Sequence, residues 1–231
     1  TIIYGANIGT TITAQIVALG MFGSGGISTT TLFASLAGVG AFMALFAKTD
    51  KIKTVGGIIT GFGMLFVGLS MMSSAMGDFA EMEEIRLFLA KISNPVLLVL
   101  LGTVITAIIQ SSSVTTSIAL TMVVTGLINL EQGIYLTLGS NIGSCVVAII
   151  AGMTSGINAK RTSLIHLLFN CSGVVVFMIL ALIMDVATGN RLNFGVLFED
   201  MFPSAPQLQL AMFHTIFNVC TVLIMMPLTN I

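Results

Sequence analysis

The sequence predicts an all-α polytopic membrane protein with inverted-topology repeats and a re-entrant helical hairpin. Three observations support this fold class. The 231 residues are 56% hydrophobic and only 7% charged, whereas a soluble domain carries roughly 25% charged residues. Apolar stretches long enough to cross a bilayer as helices recur along the chain. A polar tetrapeptide interrupts one of these stretches, and a short sequence motif occurs twice.

Seven apolar segments account for most of the chain. In order, they cover residues 1–22, 26–47, 55–77, 95–127, 131–153, 161–184 and 207–229. Every segment except the interrupted one, 95–127, is predicted to span the membrane as a single helix of about 20 residues. The first segment has neither a basic start nor a small-residue cleavage site, so it does not resemble a signal peptide.

The charged residues lie at the ends of the apolar segments and predict the orientation. Three lysines within residues 48–53 and the Lys-Arg pair at 160–161 indicate cytoplasmic loops by the positive-inside rule. The stretches 78–91 and 185–206 are predominantly acidic and are expected outside. This topology places the C-terminus in the cytoplasm of a multi-pass protein of the cell (inner or plasma) membrane.

The interrupted segment 95–127 must then enter and leave on the external side. A single helix of its 33 residues would be about 50 Å long, against a bilayer core of about 30 Å. Two half-helices that turn at Gln110-Ser111-Ser112-Ser113 satisfy both constraints. Irregular backbone at membrane depth is tolerated only where it is buried in protein or lines a cavity, so the tip of this hairpin is a candidate site.

A repeated motif predicts the inverted repeats. Residues 5–11, Gly-Ala-Asn-Ile-Gly-Thr-Thr, resemble residues 139–145, Gly-Ser-Asn-Ile-Gly-Ser-Cys, and the two segments are expected to cross in opposite directions. By the spacing in the second repeat, the hairpin of the first would lie before Thr1, outside this chain. We therefore interpret 1–77 as the C-terminal part of repeat 1, 78–94 as an external surface segment, and 95–231 as repeat 2.

The tetrapeptide Gln110 to Ser113 suits an anion. The turn would expose the N-terminus of the second half-helix, whose free N–H groups and dipole attract phosphate-like or carboxylate ligands. Hydroxyl donors stand beside it, with Thr116 one turn further along. The alternative is that these hydroxyls only donate to carbonyls of their own helix.

The repeated motif suits a monovalent cation. The side chains that supply neutral oxygens are Asn7, Thr10, Thr11, Asn141 and Ser144. A Ca²⁺ or Mg²⁺ site would normally include carboxylates, which are absent from the segment interiors. A glycine-mediated helix contact with satisfied polar groups is the alternative. Because no Lys or Arg lies deep in a segment, co-bound cations would have to offset the charge of a buried anion.

Two His-x-x-Phe-Asn patterns place His166 with Asn170 and His214 with Asn218 on shared helix faces. A satisfied interhelical hydrogen-bond network is preferred over a proton relay or an ion site. The three cysteines lack metal-ligand spacing, so no transition metal is expected. We find no P-loop, dinucleotide fingerprint or nucleophile–base pair, which argues against an enzyme, and the net charge of −1 does not indicate a nucleic-acid partner.

Together these motifs resemble the type II sodium-dependent phosphate cotransporter family, particularly its bacterial members. The resemblance spans nearly the whole chain. It implies that two hairpin tips meet near the membrane centre around phosphate and Na⁺. It therefore implies phosphate contacts from Gln110, Ser111, Ser112 and Ser113. The sodium ligands it suggests are Gln110, Ser113 and Thr116, together with the oxygen donors of the repeated motif.

The function this resemblance implies is a secondary symporter that imports inorganic phosphate with the Na⁺ gradient. Na⁺ is the coupling ion, and no other cofactor is implied. The expected partners are phosphate, Na⁺ and the lipid bilayer, and the protein could form a homo-oligomer. Two alternatives stay open: a phosphate-sensing membrane protein without net transport, and a passive anion channel.

Overall fold

The computed structural model describes residues 2–21, 29–189, 191–203 and 205–227, which are almost entirely helical and contain no strand. The helices, in chain order, are α1 Ile2–Gly20, α2 Thr29–Phe46, α3 Asp50–Glu81, α4 Glu83–Ala90, α5 Pro95–Ile109, α6 Ser112–Val124, α7 Leu130–Met153, α8 Ile157–Thr188, α9 Phe194–Met201 and α10 Pro206–Met225.

Five helices of the described part are long and apolar enough to cross a bilayer. They contain the stretches Ile2–Gly20, Asp50–Met72, Leu130–Met153, Ile157–Thr188 and Pro206–Met225. Helix α2 contributes a shorter apolar stretch, Thr31–Phe46, and residues 26–28 of the predicted segment 26–47 lie outside the described residues. So do residues 1 and 22 of the first segment and residues 228–229 of the last. The prediction of an all-helical, multi-pass membrane protein is confirmed.

The helices extend beyond the apolar segments that predicted them. Helices α3 and α8 each contain 32 residues. The charge pattern predicts loops at Lys51, Lys53, Lys160 and Arg161. In the structure these residues lie near the starts of α3 and α8. Hydropathy marks only the part of a helix suited to hydrocarbon, whereas backbone hydrogen bonding continues into charged flanks. Helix α9 was not predicted either, because its 8 residues are too few to span the membrane.

Helix α7 lies at the centre of the fold and packs against α5, α6, α8 and α10. Its side chains Ile134 and Leu138 are fully buried. Helix α5 approaches it very closely, because a Cβ atom at Gly139 would collide with the carbonyl oxygen of Val99. Small residues at such contacts let two backbones pack closely in membranes. This contact fixes the first arm of the hairpin against the centre of the bundle.

Helices α2 and α3 form a separate hairpin that is also packed through glycines. A Cβ atom at Gly40 would lie 2.6 Å from the amide nitrogen of Thr60, and the rings of Phe33 and Phe66 stack with centroids 3.9 Å apart. Helix α1 packs mainly against α10 and α6 rather than along α2, whereas α7 packs along α8. The inverted repeat therefore remains a prediction, because equivalent helices do not pack equivalently.

Candidate functional site

The polar tetrapeptide forms a tight turn between α5 and α6. Gln110 ends α5 in the left-handed conformation, with φ 62° and ψ 22°, and its N–H donates to the carbonyl oxygen of Thr106 at 2.7 Å. It is the single non-glycine residue with positive φ in the described part of the chain. That conformation costs an L-residue about 1–2 kcal/mol, and such strain concentrates at functional sites.

Ser111 caps the start of α6. Its hydroxyl oxygen accepts a hydrogen bond from the Val114 N–H at 3.4 Å, and its carbonyl oxygen accepts from the Thr115 N–H at 3.2 Å. Ser112 and Ser113 already belong to the first turn of α6, so the turn comprises Gln110 and Ser111 rather than the whole tetrapeptide. The backbone N–H groups of Ser112 and Ser113 have no acceptor within α6, because a helix leaves its first donors unpaired.

A polar cavity of about 130 Å³ lies where α1, α6, α7 and α8 meet. A single water molecule needs roughly 10–15 Å³, so the space is large enough for a small ion or oxyanion. The cavity is lined by Ala6, Asn7, Thr10, Ser112, Asn141, Ser144 and His166. The structure thus brings together the two copies of the repeated motif and one serine of the polar tetrapeptide, Ser112.

The two asparagines present their carbonyl oxygens as acceptors. Asn7 Nδ2 donates to the carbonyl oxygen of Ile3, and Asn141 Nδ2 donates to that of Thr137, each at 2.9 Å. Only the nitrogen of an amide can donate to a carbonyl, so this bond settles which end of each side chain is engaged. Both Oδ1 atoms are left without a hydrogen-bond donor among the described residues.

Two hydroxyl oxygens of the cavity, those of Thr10 and Ser144, are also left as acceptors. Thr10 Oγ1 donates to the carbonyl oxygen of Ala6 at 3.0 Å, and Ser144 Oγ donates to that of Asn141 at 2.7 Å. Because their protons are used within their own helices, these oxygens face a ligand as acceptors. Four neutral oxygen acceptors around one small space suit a hard monovalent cation. Among the described residues, no group of three or more His, Cys, Asp or Glu could hold a metal ion.

Several predicted ligands lie elsewhere. Gln110 is exposed at the tip of the turn. Ser113 lines a second, largely apolar cavity between α1, α3 and α6. Thr11 is buried and donates to the carbonyl oxygen of Ile8 at 2.7 Å. Thr116 is buried beside Ser140, with their hydroxyl oxygens 3.3 Å apart. Sequence reasoning missed Ser140, because hydropathy and motif spacing do not show which helix faces α6.

The two His-x-x-Phe-Asn motifs have different surroundings. Asn170 Nδ2 donates to Cys145 Sγ at 3.3 Å, which joins α8 to α7. His214 is fully buried, and neither of its ring nitrogens has a partner in the described part; the Oδ1 atoms of Asn170 and Asn218 also lack one. Within the described residues the predicted network includes the interhelical bond from Asn170 to Cys145, and for the other side chains it stays a prediction. His166 instead lines the polar cavity, a placement that its spacing from Asn170 could not reveal.

A comparison with protein-family models matches residues 1–74 and 74–201 to the family described as Na⁺/Pi-cotransporter. The chain is 31% identical to the "Uncharacterized protein YqeW" of Bacillus subtilis (strain 168), over 99% of this chain and 68% of that protein. It is 22% identical to the "Putative inorganic phosphate export protein YjbB" of Escherichia coli (strain K12), over 99% of this chain and 39% of that protein.

A shorter match, with higher sequence identity, relates the chain to a human protein. Over 85 residues, which are 35% of this chain and 12% of the relative, it is 44% identical to the "Sodium-dependent phosphate transport protein 2B" of Homo sapiens. No solved structure matches the chain. The chain therefore spans about two thirds of one bacterial relative and well under half of the other relatives described here.

Proposed function

The chain belongs to the Na⁺/Pi-cotransporter family, and from this premise we propose that it is part of a secondary symporter that imports inorganic phosphate with the Na⁺ gradient. The cavity between α1, α6, α7 and α8 would hold the ions. We place this site in the cell membrane, at the tip of a hairpin that enters from outside, with the C-terminus in the cytoplasm. Family membership favours transport over enzymatic activity.

One observation supports this proposal most directly: the cavity combines two complementary kinds of polar group. Asn7, Thr10, Asn141 and Ser144 offer oxygen acceptors, which suit Na⁺. Ser112 begins α6 at the same cavity, where unpaired N–H groups and the positive end of the helix dipole suit an oxyanion. Cation and anion would thus be neighbours in one small space.

This arrangement also gives a physical reason for coupling. The lining of the cavity contains no lysine or arginine. A phosphate ion that entered alone would lose its hydration with only helix dipoles and hydroxyls to offset its charge, which is costly. A neighbouring Na⁺ supplies the missing positive charge. Each ion is therefore expected to bind more tightly when the other is present.

The direction of transport follows from the driving force. If Na⁺ binds with phosphate, an inward Na⁺ gradient carries phosphate inward. Export is a second candidate, favoured by the similarity of nearly the whole chain to a protein whose name describes phosphate export. The two directions differ in the gradient that accelerates flux, so a transport assay separates them.

The glycines of the repeated motif support the proposed inverted repeat. In the second copy, Gly139 and Gly143 pack directly against α5, whereas Cβ atoms added at Gly5 and Gly9 would meet nothing within 4 Å. We propose that a helical hairpin equivalent to α5–α6 covers this face of α1 in the whole protein. Residues 1–77 would then belong to repeat 1, residues 78–94 to an external surface segment, and residues 95–231 to repeat 2.

Equilibrium binding to the purified protein tests the proposal. Phosphate affinity is measured over a series of Na⁺ concentrations at constant ionic strength, with choline as the replacement cation, and Na⁺ affinity is measured with and without phosphate. Linkage requires each ion to increase the affinity of the other by the same factor. Phosphate binding that is unchanged by Na⁺ would contradict the shared site. Coupled binding without flux would instead favour a phosphate sensor.

A further inference from the structure

His166 has a free side chain in a cavity where most other polar groups are engaged. It lines the cavity together with Asn7, Asn141 and Ser112. Neither of its ring nitrogens forms a hydrogen bond within the described part of the chain. An imidazole that lies half-buried without a partner at a polar cavity is available to a ligand.

The backbone around His166 is held in place by neighbouring helices. Its carbonyl oxygen accepts hydrogen bonds from Asn170 Nδ2 at 3.1 Å and from Cys145 Sγ at 3.5 Å. Because Asn170 also donates to Cys145, α8 is tied to α7 within one turn of His166. The position of His166 at the cavity is therefore supported by specific contacts with α7.

His214, in the second copy of the same short pattern, provides a contrast. It is fully buried in α10, and it does not line this cavity. The His-x-x-Phe-Asn pattern therefore does not by itself bring a histidine to the site. The placement of α8 against α1 and α7 does so for His166.

The cavity needs donors as well as acceptors if it is to hold an oxyanion. Thr10 and Ser144 use their hydroxyl protons within their own helices, and Asn7 and Asn141 each use one of their two amide protons in the same way. Imidazole carries at least one N–H donor in either protonation state. Among the polar side chains that line the cavity, His166 and Ser112 are the two that form no hydrogen bond in the described part of the chain.

We propose that His166 is a substrate-positioning residue whose ring N–H donates to an oxygen of the bound phosphate. This inference rests on the function proposed above and adds to it a residue of α8, outside both the hairpin turn and the repeated motif. Removing a hydrogen bond to a charged ligand weakens binding by roughly 10- to 100-fold. Na⁺ binding in the absence of phosphate should change little, because the ring is not required as a cation ligand.

Two variants at this position distinguish the hydrogen-bond donor of the ring from its shape. His166→Phe keeps a flat ring and removes the donor, whereas His166→Gln keeps an N–H donor. We expect the phosphate Kd at saturating Na⁺ to rise roughly 10- to 100-fold in His166→Phe, and the His166→Gln variant to recover most of that loss. The Na⁺ Kd without phosphate should stay close to that of the wild type in both variants.

Leu168→Phe is the matched control, because Leu168 is an exposed residue of the same helix. It should leave both constants unchanged. If His166→Phe does not give folded protein, His166→Met removes the donor with a flexible side chain and is judged by the same criteria.

The outcomes are distinct. Wild-type phosphate affinity in the variant without a donor would overturn the inference, as would equal losses in the variants with and without a donor. A wild-type protein that binds no phosphate in the presence of Na⁺ would overturn the proposed function, and the inference with it.

Discussion

Asn7 and Asn141, on helices from opposite parts of the chain, line the same cavity through the same local geometry. Each donates its side-chain N–H to the carbonyl oxygen four residues earlier at 2.9 Å. This shared bond fixes both amides so that their oxygens remain as acceptors. The repeated motif thus produces a pair of equivalent cation ligands in our proposal, which can be tested one at a time.

Replacing either asparagine should weaken Na⁺ binding. Asn7→Ala and Asn141→Ala each remove one of the four neutral oxygen acceptors, so we expect the Na⁺ concentration for half-maximal phosphate binding to rise at least several-fold. Titration of phosphate binding with Na⁺ measures this change. Asn158→Ala provides the control, because Asn158 is exposed at the start of α8 and away from the cavity. An effect of equal size in the control would show that the loss is not local.

The effects of the backbone conformation and of the side chain of Gln110 can be measured separately. Its left-handed conformation, with φ 62°, favours glycine, so Gln110→Gly should be more stable than Gln110→Ala by about 1 kcal/mol. Gln110 does not line the cavity between α1, α6, α7 and α8, so these variants test the sequence-based prediction that its amide contacts phosphate. On that prediction, both should lose coupled phosphate uptake while remaining folded. Melting temperature and uptake are the two measurements. Uptake at the wild-type rate in Gln110→Gly would remove the Gln110 side chain from the site.

The contact between α5 and α7 should not tolerate a larger residue. A Cβ atom at Gly139 would collide with the carbonyl oxygen of Val99, so Gly139→Ala should destabilise the protein by about 1–3 kcal/mol. A Cβ atom at Gly61 meets nothing within 4 Å, and Gly61→Ala should be neutral or slightly stabilising. Thermal unfolding in detergent compares the two. Equal melting temperatures would contradict the close packing of the hairpin on α7.

The charge pattern predicts which helix ends face the cytoplasm. After replacement of Cys145, Cys171 and Cys220 by serine, single cysteines at Lys160 and Glu199 can be labelled in intact cells with a membrane-impermeant maleimide. Both positions are exposed. We expect labelling at position 199 without permeabilisation, and labelling at position 160 only after it. The reverse pattern would invert the proposed orientation of the hairpin.

Much of the fold could be predicted because it depends on hydropathy and length. The break within 95–127 predicts two short helices, and the structure forms α5 and α6 with a turn at Gln110 and Ser111. Helix ends were predicted less well. Lys51 and Lys160 lie within helices, because the charge that marks the edge of the hydrocarbon does not interrupt backbone hydrogen bonding.

The site could be predicted only in part, because motif spacing does not determine which side chains meet. The repeated motif identifies Asn7 and Asn141, which the structure places in one cavity. The same motif includes Thr11, and the family resemblance adds Thr116, but both are buried in contacts of their own. His166 reaches the cavity through the packing of α8 on α7, which depends on tertiary contacts that a single sequence does not display.

The central claim is that phosphate and Na⁺ move together. Its most direct test is the uptake of radiolabelled phosphate into proteoliposomes that contain the purified protein, under inward, outward or no Na⁺ gradient. We predict that an inward gradient drives phosphate accumulation above equilibrium, that uptake saturates with Na⁺, and that choline cannot replace it. Phosphate flux that does not depend on the Na⁺ gradient, with no accumulation of phosphate above equilibrium, would indicate a passive channel and contradict this account.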